Sequence, residues 1–455
     1  MVEEIKQSLR EYKSARWTAL AMVSFTMLCG YYFTDVMGPL KPMIEQQLGW
    51  TSSQYGFFTS AYAWFNVFLG MLVFGGMILD RMGVRFTGIM ATSLMILGAL
   101  LKFWAVSAPI VPDEMLFGVP KQVMTASIGF AVFGVGVEIA GITVSKIIVK
   151  WFKGKELALA MGLEMAAARI GTALALMLPV PIATKTNLPM PLALGLVLLC
   201  VGLIAFVIYC MQDRKLEASE AAEKQETGDK EDAFKLSDIG FIVKSSGFWL
   251  IAILCVLFYS AVFPFLKYAT DLMVQKYQVD IKWAGVLPGL LPFGNILMTP
   301  FFGNLYDRKG KGATIMMIGS ILLIVVHGVF SLPLNNWVVA LAAILILGVG
   351  FSLVPSAMWP SVPKIIPEKQ LGTAYAMIFF IQNIGLGGVP ALIGWVLTKY
   401  CLIGQLENGA PAYDYTKPML IFMCCGILAL IVSFILKMDD KRKGYGLELP
   451  NIKKQ

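Results

Sequence analysis

Charged side chains are scarce in this 455-residue chain. Asp, Glu, Lys and Arg make up 15% of the residues, whereas they make up about 25% of a typical soluble domain. Hydrophobic residues account for 57%, and the mean hydropathy is +0.72. These values exclude a soluble enzyme and a disordered or nucleic-acid-binding chain, because such chains are poorer in apolar residues. The composition therefore predicts a polytopic membrane protein without a nucleic-acid partner.

Residues that build metal centres and catalytic sites are also few. The chain has one histidine, His327, and its seven cysteines show neither a CxxC motif nor metal-type spacing. P-loop and catalytic-triad signatures are absent. We therefore expect no enzymatic activity, no metal and no cofactor.

Apolar runs bounded by charged residues, Pro or Gly predict twelve membrane-spanning helices. They begin near residues 17, 55, 86, 124, 157, 190, 248, 283, 313, 337, 371 and 418. The expected fold class is an all-α polytopic membrane protein with two six-helix bundles. The expected domains are an N-terminal bundle (1–211), a cytoplasmic linker (212–246), a C-terminal bundle (247–438) and a cytoplasmic tail (439–455).

Lys and Arg residues are distributed unevenly between the two sides of this arrangement. The side with both termini and the central linker holds about 26 of the 37 basic residues, and the opposite side holds about seven. Because cytoplasmic loops carry an excess of positive charge, this asymmetry predicts cytoplasmic termini. It also accounts for most of the net charge of +8.

The chain contains an internal repeat. The loop after span two reads GGMILDRMGVR, and the loop after span eight reads FFGNLYDRKGKG. Both fit the pattern G-x-x-x-D-R-x-G-x-[RK] at the same place in each six-span half, which indicates a duplicated architecture. The matching positions are Gly76, Asp80, Arg81, Gly83 and Arg85 in the first half and Gly303, Asp307, Arg308, Gly310 and Lys311 in the second.

The doubled motif on a six-plus-six frame resembles the major facilitator superfamily. Residues 151–172, 248–265 and 358–386 also resemble a branch of that superfamily that contains lysosomal dipeptide uniporters. The resemblance implies a major facilitator fold, a loop motif that regulates the conformational switch, and small-peptide transport by alternating access. It further implies that Glu138, Arg169 and Tyr62 occupy the positions of a glutamate, an arginine and a tyrosine that the branch shares.

Several ionisable residues fall inside apolar runs, where each costs about 2.5–3.5 kcal/mol on insertion scales unless it faces water or a partner. They are Asp35, Lys102, Glu138, Lys146, Glu164, Arg169 and Lys267. In the fold that the resemblance implies, all except Lys102 lie on spans that line or flank the central cavity. We expect Lys102 to extend its amino group to the membrane surface.

Glu138 and Arg169 form the strongest candidate pair for a substrate. A carboxylate can bind an ammonium group, and a guanidinium can grip a carboxylate through two hydrogen bonds, so together they suit a zwitterion such as a dipeptide. The alternative is a structural ion pair between the two helices.

Asp35, Lys146, Glu164 and Lys267 are candidate proton or charge sites with structural alternatives. Glu164 could pair with Lys146, and Lys267 could pair with Asp271 four residues on. The predicted pocket is completed by aromatic and amide side chains, although each alone could equally stabilise helix contacts. These are Tyr62, Asn66, Tyr259, Trp359, Gln382 and Asn383.

The sequence therefore favours a secondary or facilitative transporter of dipeptides or short peptides. One alternative is a proton-coupled or exchange transporter of organic or inorganic anions, with Lys146, Arg169 and Lys267 forming a basic cavity. Another is a non-transporting membrane sensor on the same fold. We expect a monomer in the lipid bilayer that needs no accessory subunit. Because the chain ends carry no acidic dileucine signal, we expect a bacterial inner membrane rather than a lysosomal one.

Overall fold

The computed structural model describes residues 9–108, 114–152, 156–221, 236–367, 370–406 and 409–450. The helices are α1 (Lys13–Asp35), α2 (Lys41–Leu48), α3 (Ser52–Ser60), α4 (Trp64–Phe68), α5 (Met71–Ser107), α6 (Lys121–Phe152), α7 (Leu157–Met177), α8 (Pro179–Lys185), α9 (Met190–Ala221), α10 (Leu236–Val243), α11 (Ser246–Gln275), α12 (Ile281–Ala284), α13 (Val286–Lys309), α14 (Gly312–Ser331), α15 (Trp337–Ile365), α16 (Leu371–Tyr400) and α17 (Thr416–Lys443). Two short antiparallel hairpins pair β1 (Met115–Leu116) with β2 (Val119–Pro120) and β3 (Leu402–Gln405) with β4 (Pro411–Tyr413).

The helices form the predicted twelve spans. In the described part of the chain, ten helical stretches are long and apolar enough to cross a membrane. One of them, α5, has 37 residues and a non-helical backbone at Gly83 (φ 75°, ψ 173°). Because a straight helix of this length would be about 55 Å long, the break at Gly83 ends the second span and starts the third. The first span is α1, and α3, α4 and the start of α5 build the second.

The second span is interrupted in its middle. A capping box at Thr51 and Gln54 starts α3, as expected for a side chain that satisfies the free amide groups of the first turn. A 3-10 turn at Ala61–Ala63 then links α3 to α4, and Gly70 adopts a left-handed conformation (φ +60°) before α5. The interruption falls at the level of Tyr62 and Asn66, where it lets side chains leave the regular helical spacing.

An even number of spans places both chain ends on one side of the molecule, which we call the terminal side. The opposite side, which carries α2, α8, α12 and both hairpins, is the far side. We call residues up to the end of α9 the first half and residues from α11 onward the second half.

The two halves contact each other directly on the far side. A Cβ atom added at Gly56 of α3 would lie 2.6 Å from the carbonyl oxygen of Pro390 in α16. The amide of Ser53 donates to Oγ1 of Thr398 at 2.7 Å, and the hydroxyl of Tyr55 donates to the carbonyl of Lys267 at 3.1 Å. Small residues permit this approach of two backbones, and the contact closes the far side.

The predicted domain boundaries remain predictions, but several helices cross them. Helix α9 continues beyond residue 211 to Ala221, and α10 lies inside the predicted linker. Residues 222–235 of that linker lie outside the described residues. The last helix continues to Lys443, beyond the predicted start of the tail at residue 439.

The chain after α17 folds back onto the loop between α13 and α14. The amides of Lys311 and Gly312 donate to the carbonyls of Glu448 and Leu447 at 3.0 and 2.8 Å. The carboxylate of Glu448 accepts hydrogen bonds from the amide and hydroxyl of Thr314, both at 2.9 Å. Glu448 thus caps the N-terminus of α14, where a negative charge is favourable. The second copy of the repeated motif is therefore covered by the tail.

Replacing Gly310 with Ala should destabilise this contact. Gly310 has φ +68°, and an added Cβ would lie 2.5 Å from the carbonyl oxygen of Glu448. We expect a loss of about 1–3 kcal/mol, seen as a lower melting temperature and faster proteolysis of the tail. Gly303→Ala is the matched control, because nothing lies within 4 Å of a Cβ at Gly303. Equal melting temperatures for the two variants would contradict this role for Gly310.

Candidate substrate site

Glu138 on α6 faces the second span at close range. A Cβ at Gly134, one turn earlier, would collide with the backbone carbonyl of Tyr62. This close approach brings the two side chains together, and the hydroxyl of Tyr62 donates to Oε1 of Glu138 at 2.9 Å. The glutamate and tyrosine that the resemblance singled out therefore lie in direct contact.

Asn383 of α16 brings the second half of the chain to the same carboxylate. Its side chain lies close to Glu138, and its Nδ2 donates to the carbonyl of Phe379 at 3.0 Å. Its buried Oδ1 has no partner among the described residues. Glu138 thus lies at the junction of the two halves, with an amide acceptor beside it.

Arg169 of α7 lies against aromatic rings of the other half. Its guanidinium carbon is 5.6 Å from the ring centroid of Phe263 and 5.2 Å from that of Phe351. In the described part of the chain Arg169 has no carboxylate within ion-pair distance, neither Glu138 nor Glu164. The alternative of a direct Glu138–Arg169 ion pair is therefore wrong for this conformation. A partly exposed guanidinium without a carboxylate is available for a ligand.

Tyr31 of α1 connects the charges around this space. Its half-buried hydroxyl lies within electrostatic range of Arg169, Glu138, Glu164 and Asp35. Glu164 also lies within electrostatic range of Arg169. The first half therefore presents one arginine and three carboxylates around a single tyrosine.

Aromatic side chains of the second half form the opposite wall. The rings of Tyr259 and Phe263 are stacked at 5.3 Å, and Nε1 of Trp359 donates to the hydroxyl of Tyr259 at 3.1 Å. Trp359 also packs on Phe379 at 5.0 Å. Phe263, Phe351 and Phe379 were not predicted, since a phenylalanine in an apolar span carries no distinguishing sequence signal. Such a wall suits apolar side chains of a ligand and the face of a cation.

The two remaining amide residues are buried. Gln382 accepts a long contact of 3.7 Å from the thiol of Cys255. Asn66 is 1% exposed, and neither atom of its amide has a hydrogen-bond partner among the described residues. An unsatisfied buried amide is unfavourable. Among the predicted pocket residues, Asn66 would therefore be stabilised most by hydrogen bonds to a polar ligand.

Lys267 makes an ion pair with the other half rather than with its own helix. Its Nζ lies 2.5 Å from Oδ1 of Asp35 and donates to the carbonyl of Thr34 at 3.0 Å. The expected pair with Asp271 is therefore not formed. Both charged side chains are largely buried, at 14% and 11% exposure. Asp35 and Lys267 thus join α1 to α11 at the far side of the site.

A second ion pair lies beyond the first and is fully buried. Lys41 of α2 binds Asp271 of α11 and also Oε1 of Glu45, at 2.9 Å. Asp271 accepts a further hydrogen bond from the hydroxyl of Tyr415. We call Asp35, Lys41, Lys267 and Asp271 the far-side gate. Lys41 and Glu45 were not predicted, although spans one and seven occupy equivalent places in the two repeats and both carry charged residues near their far-side ends.

Lys146 lies outside the substrate site. Its Nζ is 2.8 Å from Oδ1 of Asp80, and both side chains are exposed, so Lys146 pairs with the loop motif and not with Glu164. Arg85 binds Glu217 of α9 at 2.7 Å. These pairs join elements of the first half only. Arg81 and Arg308, the arginines of the two motif copies, are both exposed.

Lys102, which we expected at the membrane surface, and the single histidine, His327, are both buried. Lys102 is 0% exposed, so the expectation that it reaches the membrane surface is wrong. His327 is also 0% exposed, and its Nε2 contacts the carbonyl of Ala261 at 3.0 Å. Both are enclosed because neighbouring helices pack over them before the side chains could reach the bilayer surface.

Known proteins similar to this chain are membrane transporters. The mouse and human lysosomal dipeptide transporters MFSD1 are 26% and 27% identical to this chain over 444 residues, which cover 95% of it and 88% of each relative. Among solved structures, a point mutant of the nucleoside transporter NupG aligns with a TM-score of 0.70 at 14% identity over 93% of this chain and 99% of its own. A point mutant of the peptide transporter POT in complex with alafosfalin aligns with a TM-score of 0.68 at 15% identity over 95% of both chains.

These likenesses confirm the expected fold and a membrane transporter rather than an enzyme. The profile described as Major Facilitator Superfamily matches residues 23–390, which is most of the chain. The chain belongs to the Major Facilitator Superfamily.

Proposed function

We propose that this protein carries dipeptides across the membrane by alternating access, with the amino group bound at Glu138 and the carboxylate at Arg169. The proposal depends on the surroundings of Arg169. It lies partly exposed among aromatic rings of the second half, and no described carboxylate neutralises it. A dipeptide carboxylate would supply the missing partner through two hydrogen bonds.

The environment of Glu138 supports the other end of the proposal. Its carboxylate is oriented by the hydroxyl of Tyr62, and the amide of Asn383 lies close to it. The free Oδ1 of Asn383 and the unpartnered amide of Asn66 are suited to a peptide N–H and C=O. The lysosomal dipeptide transporters that resemble this chain support the same substrate class.

The anion alternative finds less support in the positions of the basic residues. Lys146 pairs with Asp80 on the terminal side, and Lys267 pairs with Asp35. Of the three basic residues that would form an anion cavity, only Arg169 remains without a carboxylate among the described residues. We further propose that the terminal side is cytoplasmic, in a monomeric protein of a bacterial inner membrane.

The test is a thermal-shift screen followed by flux into liposomes. A ligand at 100 times its dissociation constant should stabilise the protein by about 2.7 kcal/mol. We expect a shift with dipeptides and a much smaller one with N-acetylated or C-amidated dipeptides, since each modification removes one charge. Stabilisation by dicarboxylates alone would favour the anion alternative. Dipeptide binding without flux would favour a sensor.

Glu138→Gln should show which end of the ligand binds at residue 138. The substitution preserves size and hydrogen bonding to Tyr62 but removes the charge that binds an ammonium group, which should cost about 1.5–3 kcal/mol of affinity. We therefore expect dipeptide binding to weaken about tenfold to 100-fold, measured by calorimetry. Binding of an N-acetylated dipeptide should not weaken further. Unchanged dipeptide affinity would remove Glu138 from the site.

A further inference from the structure

Lys102 occupies a cage of aromatic rings beside the far-side gate. Its Nζ lies 4.0 Å from the ring centroid of Phe130 and 4.5 Å from that of Phe33. Phe58 and Phe133 lie at 5.5 and 5.6 Å. These contacts are typical of a desolvated ammonium group held by cation–π interactions. The side chain is fully buried and has no carboxylate at ion-pair distance among the described residues.

Lys102 and Lys267 bind the same end of α1. Lys102 contacts the carbonyl of Phe33 at 3.3 Å, and Lys267 donates to the next carbonyl, of Thr34, at 3.0 Å. The final carbonyls of a helix have no partner within it and attract cations. Asp35 follows directly, and its carboxylate is bound by Lys267. Asp35 and Lys267 are also the charged groups within electrostatic range of Lys102.

Charges around the gate balance only when Lys102 and Glu45 are counted together with its four members. Lys41, Lys102 and Lys267 face Asp35, Glu45 and Asp271. Two of the ion pairs cross between the halves, Lys267 with Asp35 and Lys41 with Asp271, and both must break when the far side opens. Leaving any of these buried charges alone would be strongly unfavourable.

We propose that the far-side gate opens by an exchange of partners among these six charges, in which Lys102 is the counter-ion that Asp35 takes when Lys267 leaves. Lys41 keeps Glu45, which it already contacts four residues along α2. Lys267 and Asp271 are also four residues apart on α11, a spacing at which side chains share a helix face and pair. Every charge then has a partner within its own half, and opening requires no proton.

The proposal rests on alternating access but not on the identity of the substrate. Its test therefore measures the gate directly, by the distance between spin labels at exposed Gln47 and Lys282 in nanodiscs, after the accessible cysteines are replaced. In the otherwise unmodified protein, the ratio of open to closed molecules should be the same at pH 5.5 and pH 7.5.

In Lys102→Met, Asp35 would have no counter-ion in the open state and would need a proton to open. Among the described residues, the other titratable groups that contact Asp35 or lie within electrostatic range of it are Lys267, Tyr31, Tyr55 and Tyr62. Lys267 leaves with the second half, and a tyrosine is not a cation, so none of them can replace Lys102 in the open state. We expect the open-to-closed ratio at pH 7.5 to fall about tenfold and to recover at pH 5.5. Lys102→Gln should show the same pH dependence. It can be used in place of Lys102→Met if that variant fails to fold.

Two further variants decide the cause. Asp35→Asn combined with Lys102→Met removes the unpaired acid, and it should restore a ratio that is independent of pH. Lys121→Met removes an exposed far-side lysine paired with Glu114 and should change nothing. The proposal is overturned if Lys102→Met opens normally at pH 7.5, if its defect survives in the double variant, or if the unmodified gate depends on pH. Absence of dipeptide transport would leave this result unaffected.

Discussion

Arg169→Ala should abolish dipeptide flux into liposomes while leaving the protein folded. Removing one partner of a desolvated, hydrogen-bonded charge pair costs about 2–5 kcal/mol, so the rate at subsaturating substrate should fall about 100-fold or more. The loss should not involve stability, because Arg169 has no carboxylate among the described residues that would be left unpaired. The measurement is uptake of a labelled dipeptide, together with the melting temperature of the purified variant.

Two variants control this experiment. Arg169→Lys keeps the charge but not the planar two-pronged geometry, and we expect it to retain only part of the flux. Arg214→Ala removes an exposed arginine at the end of α9, and it should transport normally. Wild-type flux in Arg169→Ala would exclude the arginine from substrate binding.

Lys41→Met should destabilise the protein strongly. Lys41 is 0% exposed and is the cation that faces both Glu45 and Asp271, themselves 4% and 0% exposed. Its removal leaves two buried carboxylates side by side, at a cost of about 3–5 kcal/mol. We expect a melting temperature lower by about 3–5 °C and a gate that rests open.

The loss of stability in Lys41→Met should be smaller at low pH. Burial raises the pKa of the Glu45 carboxyl above its ordinary value, although Lys41 opposes this effect. A group with a raised pKa contributes stability that is present below its unfolded pKa and is lost as the pH rises through its folded pKa. Without Lys41 the pKa should rise further, so the deficit should be larger at pH 8 than at pH 5.5.

The control for this pH dependence is Lys185→Met, which removes an exposed far-side lysine. It should match the unmodified protein at both pH values. Adding Glu45→Gln to Lys41→Met should recover part of the lost stability. A deficit that does not change with pH would mean that Lys41 acts through packing on Tyr413, whose ring centroid lies 4.9 Å from its Nζ.

Hydropathy and repetition predicted most of the fold, because burial in lipid imposes long apolar runs and duplication imposes their symmetry. The break within the second span was not predicted. The sequence around Gly70 does not differ from that around glycines at helix–helix contacts. The run of Phe, Tyr and Trp is equally typical of an uninterrupted span. The join at Gly83 was predictable, since the repeated motif placed a loop there.

The residues of the candidate site were predictable where their residue type is rare in a membrane span. The contacts between them were not predictable, because these depend on how the helices pack. Glu138 and Arg169 stand out because ionisable groups are costly in membranes. Their lack of mutual contact could not be read from sequence. Lys267 illustrates the same limit, since its spacing from Asp271 favours a pair within α11 and only the packing of the halves selects Asp35. The position of Lys102 was predicted wrongly because the rings of its aromatic cage come from three separate elements.

The folded-back tail has a mechanical consequence. Lys364 near the end of α15 donates to the carbonyls of Gly446 and Leu449 at 3.0 and 2.9 Å, and the α13–α14 loop binds the residues between them. Residues 446–449 thus connect the end of α17 to α15 and to the α13–α14 loop, so the chain from α14 to α17 forms a closed loop of four spans. A force applied at the C-terminus would have to shear these bonds together before any span could be extracted, so the second half should resist pulling from its own end.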